Sequence, residues 1–323
     1  MNKVAVIGAV TTTKVTIEKL YEHGFEIVAV LGHEPLKPES VSGLENLKLL
    51  SEALDLPYRG YQKINDAELV SWVKEKNPDY LFAVGFSQLL SKEWLNISRM
   101  GTIGFHPTKL PKGRGRAPLA WLVLENTVGA ANYFLMNENA DDGPILSSFD
   151  FEVSEDDDAT SLGTKIMQAS QQALDQWLPE LKKGYWNPIE QDRSLATWYG
   201  KRSPVDGLID WTLSAHVIDR LVKASTKPHP GAYTFFNDEK LLVWKGSIEK
   251  EIPIKGVPGR VLIIDKYKGL LVQTGTLPYW IKEFEHLDDF RNIMVGSLLG
   301  YNVQHEVYEL KKIINKLQKN ENK

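Results

Sequence analysis

Short β-branched runs alternate with helical spacing from the start of the chain. Lys3 to Gly8 is an apolar run of strand length, Ile17 and Leu20 stand at the spacing of one helix face, and Ile27 to Leu31 is a second apolar run. That order reads as strand, helix, strand. It continues with helical segments over Leu47 to Ala53 and Asp66 to Lys76, then an apolar strand over Tyr80 to Val84. Strands with no polar face need cover on both sides, so the alternation predicts a parallel sheet between two layers of helices. Strand-like runs at Thr102 to His106, Ala130 to Met136 and Ile145 to Val153, and a helix over Thr160 to Leu181, complete a first domain over residues 1–186.

Beyond Asn187 the texture changes. A polar, irregular stretch leads into short strands divided by Gly and Pro, at Ala232 to Phe236, Leu241 to Trp244, Gly259 to Asp265 and Leu270 to Thr274. One helix over Ser214 to Ala224 and a terminal helix over Asp288 to Lys323 accompany them. The expected fold is therefore α/β: a Rossmann-like open, mainly parallel sheet with helices on both faces, followed by a smaller β-rich, OB-like C-terminal domain over residues 187–323.

Composition narrows the chemistry. The absence of cysteine removes thiolate nucleophiles, disulfides, iron–sulfur clusters and most structural zinc sites. No two histidines stand at i, i+4 and no carboxylate-histidine trio has ligand spacing, so no metal is expected. The first turn, Gly8-Ala9-Val10-Thr11-Thr12-Thr13, lacks the second and third glycines that admit a dinucleotide pyrophosphate. A net charge of -4 and a pI near 6.0 argue against a nucleic-acid partner, which needs a basic face to neutralise phosphates. No apolar run approaches the length of about 18 residues that spans a bilayer, so a cytoplasmic location without membrane contact is expected.

Two segments carry the densest chemistry. Gly104-Phe105-His106-Pro107-Thr108-Lys109-Leu110-Pro111-Lys112-Gly113-Arg114-Gly115-Arg116-Ala117-Pro118 follows an apolar strand directly, placing His106 where open α/β sheets bind ligands. His106 reads as the only one of the seven histidines at such a strand end. A lone histidine is more often structural. The second segment, running from Asn132 through Ala140-Asp141-Asp142-Gly143-Pro144, can deliver a carboxylate beside it, although a bland surface turn has the same composition.

Together these segments resemble the formyltransferase superfamily, which includes glycinamide ribonucleotide, methionyl-tRNA and sugar N-formyltransferases. In that family a strand ends in Asn-x-His and runs into Leu-Pro-x-x-Arg-Gly-x-x-Pro; here Phe105-His106, Leu110-Pro111, Arg114-Gly115 and Pro118 fill those places. Its later Asp-x-Gly looks like Asp141-Asp142-Gly143, and Trp198 to Trp211 with Thr226 to Ala232 resemble the C-terminal domain of the sugar and methionyl-tRNA enzymes.

The resemblance implies N10-formyltetrahydrofolate as co-substrate and a primary amine on a nucleotide-linked amino sugar as acceptor. His106 would be base and oxyanion contact, oriented by Asp141. Phe86, Gln88, Leu89 and Leu90 would line the folate pocket, with Ala140, Asp142 and Gly143 along the pterin edge. Arg114, Arg116, Lys201 and Arg202 are the candidates for a substrate diphosphate. One departure stands out: Gly104 replaces the family asparagine, whose loss as an oxyanion donor would cost about 2.7–4 kcal/mol. Asn132 is the expected substitute, against the alternative that it only pairs with nearby backbone.

Three rivals stay open. A methionyl-tRNA formyltransferase would carry a basic surface; a formylfolate hydrolase would not need the second domain; Gly104 also allows a silent binder of folate or nucleotide sugar. Self-association as a homodimer is compatible with the residues.

Overall fold

A computed structural model describes residues 3–38, 41–85, 87–285 and 292–321. The chain divides into two compact units, Met1–Arg202 and Ser203–Lys323. The division lies beyond residue 186 because Trp198–Tyr199 pairs in parallel with Arg114–Gly115, which keeps the intervening segment with the first unit.

The first unit is built on β1 (Lys3–Gly8), β2 (Glu26–His33), β3 (Tyr58–Tyr61), β4 (Tyr80–Val84), β5 (Thr102–Thr108), β7 (Gly129–Leu135) and β8 (Ile145–Phe151), in the order β3-β2-β1-β4-β5-β7-β8. Strands β3 to β5 run parallel, whereas β7 is antiparallel to both β5 and β8. The helices are α1 (Thr11–Glu22), α2 (Leu47–Ala53), α3 (Ala67–Lys76), α4 (Lys92–Leu95), α5 (Pro118–Glu125) and α6 (Ala159–Lys182). The short β6 (Arg114–Gly115) and β9 (Trp198–Tyr199) form a separate ribbon.

Alternation along the central strands explains the two helical layers. Val4 and Val6 of β1, with Phe82 and Val84 of β4, join the core that includes Val15, Ile17 and Leu20 of α1 and Ala169, Ala173 and Leu178 of α6. Their neighbours Ala5, Ile7 and Leu81 join a second core with Leu69 and Val73 of α3 and Trp94 of α4. Side chains of a strand alternate in direction, so a continuous apolar run feeds both layers. Helix α6 starts where Asp158 accepts from the amides of Thr160 and Ser161, satisfying otherwise unpaired donors.

The second unit is a five-stranded antiparallel sheet, β10 (Ala232–Phe236), β11 (Glu239–Ile248), β14 (Tyr279–Glu285), β13 (Gly269–Val272) and β12 (Val261–Asp265), in that spatial order. Helix α7 (Ala215–Ser225) buries Ile218 and Val222 in the core formed by Val243, Leu270, Val272 and Ile281. The terminal helix, α8 (Val303–Glu321), starts later than expected. Gly296 and Gly300 hold left-handed φ values of +91° and +79°, which a continuing helix would not permit. Part of the expected helical range, residues 288–291 and 322–323, lies outside the described residues.

Candidate active site

His106 lies on β5, directly opposite Asn132 of β7. The ring is buried, at 4% exposure. Its Nε2 lies 2.8 Å from the carbonyl oxygen of Gly113. A carbonyl can only accept, so Nε2 carries a proton and the other nitrogen is left as the basic one. That nitrogen, Nδ1, lies 3.4 Å from Asp141 Oδ2. The expected pair therefore meets, with the carboxylate placed to balance a proton gained at Nδ1.

Two turns make this meeting possible. Asp141 adopts φ +52°, a left-handed conformation uncommon for a residue with a side chain. The backbone amide of Gly115 donates to the same Asp141 oxygen at 2.8 Å, tying the loop after β5 to the turn after β7. A Cβ on Gly115 would fall 2.6 Å from the Tyr199 carbonyl oxygen, and one on Gly143 would fall 1.6 Å from that of Leu135. Both turns require glycine for close backbone approach.

Immediately beside this pair is a second one with a different character. Arg114 Nη1 lies 2.6 Å from Asp142 Oδ1, both side chains being almost fully buried. Arg193 approaches the other oxygen of Asp142 at 3.0 Å. Gln191 Oε1 accepts from Arg114 Nη2 at 2.8 Å, while its Nε2 donates to the carbonyls of Asp141 and Gly143 at 2.9 and 2.7 Å. Gln191 and Arg193 fall in the stretch whose sequence shows no periodicity, so nothing in the pattern marked them.

The substrate cations expected from sequence separate accordingly. Arg114 is buried with its guanidinium held by Asp142 and Gln191. Arg116 and Lys201 are exposed. Arg202 lies over the ring of Trp121 at 5.6 Å, and Trp121 stacks on Tyr199 with ring centroids 5.4 Å apart and planes at 12°. The Trp121 indole N–H donates to the Gly200 carbonyl at 2.9 Å, fixing this strip to α5. Burial, with the neighbouring Glu125 carboxylate, pushes the Tyr199 phenol up to about 12, so it stays neutral and donates.

Asn132 does not take the place of the missing asparagine. Its Nδ2 donates to the carbonyls of His106, Thr108 and Ala130, and its Oδ1 accepts from Ser148 at 2.9 Å. With both N–H groups shared among three carbonyls, it braces the strands and has no donor left for an oxyanion. Gly104 has its own cause: a Cβ there would lie 2.8 Å from Phe134 and 2.9 Å from Met136, which fill that space. His33 is a further departure, since it also ends a strand, β2, where it stacks on Tyr61 at 5.3 Å.

Of the expected folate residues, Phe86 lies outside the described residues. Gln88 braces its loop, accepting from the Ile64 amide at 2.9 Å and donating to the Gln62 carbonyl at 2.7 Å. Leu89 is 88% exposed, whereas Leu90 packs against the core of α3 and α4. Ala140 is exposed and Gly143 buried. A Lys92–Glu138 ion pair of 2.8 Å joins the start of α4 to the turn after β7.

Among known families, the one described as formyl transferase matches residues 2–178, and its C-terminal domain matches residues 201–289. The chain belongs to the formyl transferase family. A curated relative, the bifunctional polymyxin resistance protein ArnA of Wigglesworthia glossinidia brevipalpis, is 32% identical over 72% of this chain and 36% of its own length. This formyl transferase thus spans about a third of that relative. Solved structures share the fold. HypX from Aquifex aeolicus in complex with tetrahydrofolic acid has a TM-score of 0.64 at 17% identity, covering 88% of this chain and 44% of that one. The N-formyltransferase from Helicobacter canadensis in complex with folinic acid and dTDP-3-aminofucose has a TM-score of 0.63 at 12% identity, covering 87% and 99%. No helix among the described residues is long and apolar enough to cross a membrane, and no described group of three or more His, Asp or Glu could hold a metal ion.

Proposed function

We propose that this formyl transferase moves a formyl group from N10-formyltetrahydrofolate to the primary amine of a nucleotide-linked amino sugar. The observation that carries the reading is the meeting of His106 Nδ1 and Asp141 Oδ2 at the end of β5, 3.4 Å apart. The co-substrate supplies an amide-like formyl carbonyl. The acceptor nitrogen bonds to that carbon as the bond to the folate nitrogen breaks. The proton lost by the amine passes to His106 Nδ1, with Asp141 balancing the charge, and is returned to the leaving nitrogen.

The residues present fit a folate. The exposed Leu89 offers an apolar contact beyond the carboxyl end of β4, and the exposed Ala140 turn that follows β7 offers main-chain groups, with an ion pair between Lys92 and Glu138 linking the two segments. Ligands of open α/β sheets bind at such ends. For the sugar nucleotide, Arg116, Lys201 and Arg202 remain as cations on the strip beside α5, and the Trp121–Tyr199 stack offers an aromatic face. The Helicobacter canadensis N-formyltransferase, solved with dTDP-3-aminofucose, favours a sugar acceptor. The net charge of -4 disfavours tRNA.

The test is to incubate the protein with N10-formyltetrahydrofolate and a panel of dTDP-, UDP- and GDP-linked amino sugars, including pseudaminic-acid precursors. Deformylated folate and a formylated sugar, seen by mass spectrometry, are expected in equal amounts. Folate deformylation without a formylated amine would identify a hydrolase, and no turnover with any amine would leave a silent binder.

A further inference from the structure

Helix α8 carries an apolar stripe that no other described residue covers. Val303, Val307, Leu310, Ile314 and Leu317 are between 44% and 69% exposed, and every described side chain from Val303 to Lys319 is exposed except the half-buried Glu309. Asn302 starts the helix, its side chain accepting from the His305 amide at 3.1 Å. Most helical stability in proteins comes from packing an apolar face, and this helix has no packed face of its own. Such a contiguous exposed stripe marks an interaction surface.

The spacing of the stripe identifies the kind of partner. Val303, Val307, Leu310, Ile314 and Leu317 alternate steps of four and three, the seven-residue repeat of a coiled-coil seam, with the exposed Tyr308 and Ile313 flanking it. With Val303, Leu310 and Leu317 at the d positions, the a positions are Val307 and Ile314, both β-branched. β-branched a positions with leucine at d favour two parallel strands. The flanking charges agree. Glu306 falls at g and Lys311 at the following e, so in a parallel pair each Glu306 meets the Lys311 of the other chain. An antiparallel pair overlapping along the same stripe would set Glu306 against Ile313 instead, with no opposite charge for it.

We propose that α8 pairs with α8 of a second copy as a short parallel coiled coil, making the protein a homodimer through its terminal helix. This does not rest on the proposed activity. The chain contains no cysteine, so Val303→Cys introduces a single thiol, and Leu317→Cys another. Analytical ultracentrifugation of the unaltered chain should give twice the 36.5 kDa chain mass. Leu310→Glu combined with Ile314→Glu should return it to the mass of one chain without changing its thermal midpoint at the first unit. Under oxidised glutathione, Val303→Cys alone should become a covalent dimer. The chain mass for the unaltered protein, a trimer mass, or cross-linking only when Val303→Cys and Leu317→Cys chains are mixed would overturn the proposal.

Discussion

Asp141 and Asp142 occupy one turn, yet their carboxylates meet different partners in different surroundings. Asp142 is sealed between Arg114 and Arg193, with its side chain only 7% exposed. Asp141 is more open, at 19%, and faces an imidazole nitrogen at 3.4 Å while a backbone amide holds its orientation. A permanently charged guanidinium cannot trade its proton, so the Arg114–Asp142 pair can only brace the loop. An imidazole can gain and lose a proton near neutral pH, so the His106–Asp141 pair can take part in chemistry. The same turn thus divides support from reaction between adjacent residues.

Substitutions at the two positions should separate these roles. Asp141→Asn is expected to lower the rate of formyl transfer by about 10²–10⁴-fold, the range for losing a positioned proton-transfer partner, while the thermal midpoint barely moves. A strongly lowered midpoint with proportionate activity loss would make Asp141 structural as well. Asp142→Asn should do the reverse. Leaving Arg114 buried without its counter-charge costs about 3–5 kcal/mol, read by urea unfolding, while the protein that remains folded keeps most of its turnover.

Gln191 touches both sides of the turn, so Gln191→Leu should lower stability by about 1–3 kcal/mol and turnover by a smaller factor than Asp141→Asn. Asn132→Ala should give the mildest outcome, a stability loss of about 1 kcal/mol with turnover falling no further than the folded fraction does. A hundredfold loss in a fully folded Asn132→Ala protein would restore it as the oxyanion donor and would contradict the bracing role.

The first unit was legible wherever periodicity was strong. Tyr80 to Val84 and Lys3 to Gly8 match their strands because each carries an unbroken apolar run, Tyr80 to Val84 and Val4 to Ile7. Strand β14 was not foreseen: its alternation is interrupted by Lys282, Glu283 and Glu285, and its place is set by pairing with β11 and β13. Helix α5 also escaped, because Pro118 and the glycines before it read as loop. In the site, His106 and Asp141 were visible through two motifs, one on β5 and one in the turn that follows its antiparallel neighbour β7. The bracing was not visible. Gln191, Thr197 and Arg193 act through long-range hydrogen bonds and ion pairs, Thr197 accepting from the Gly113 amide at 2.8 Å, and such contacts leave no periodic trace. Whether Asn132 and Arg114 face a ligand or brace nearby backbone stayed open, because a polar residue near a motif has the same sequence appearance whether it faces solvent or a carbonyl.

The most direct measurement is single-turnover transfer from carbon-labelled N10-formyltetrahydrofolate to an accepted amino sugar, followed by rapid quench for the native protein and for His106→Ala. The label should reach the sugar amine in the native protein and stay on the folate at least a hundredfold longer in the variant, with its folate affinity unchanged. Transfer at the native rate by His106→Ala would contradict the account, because the imidazole would then have no part in moving the proton.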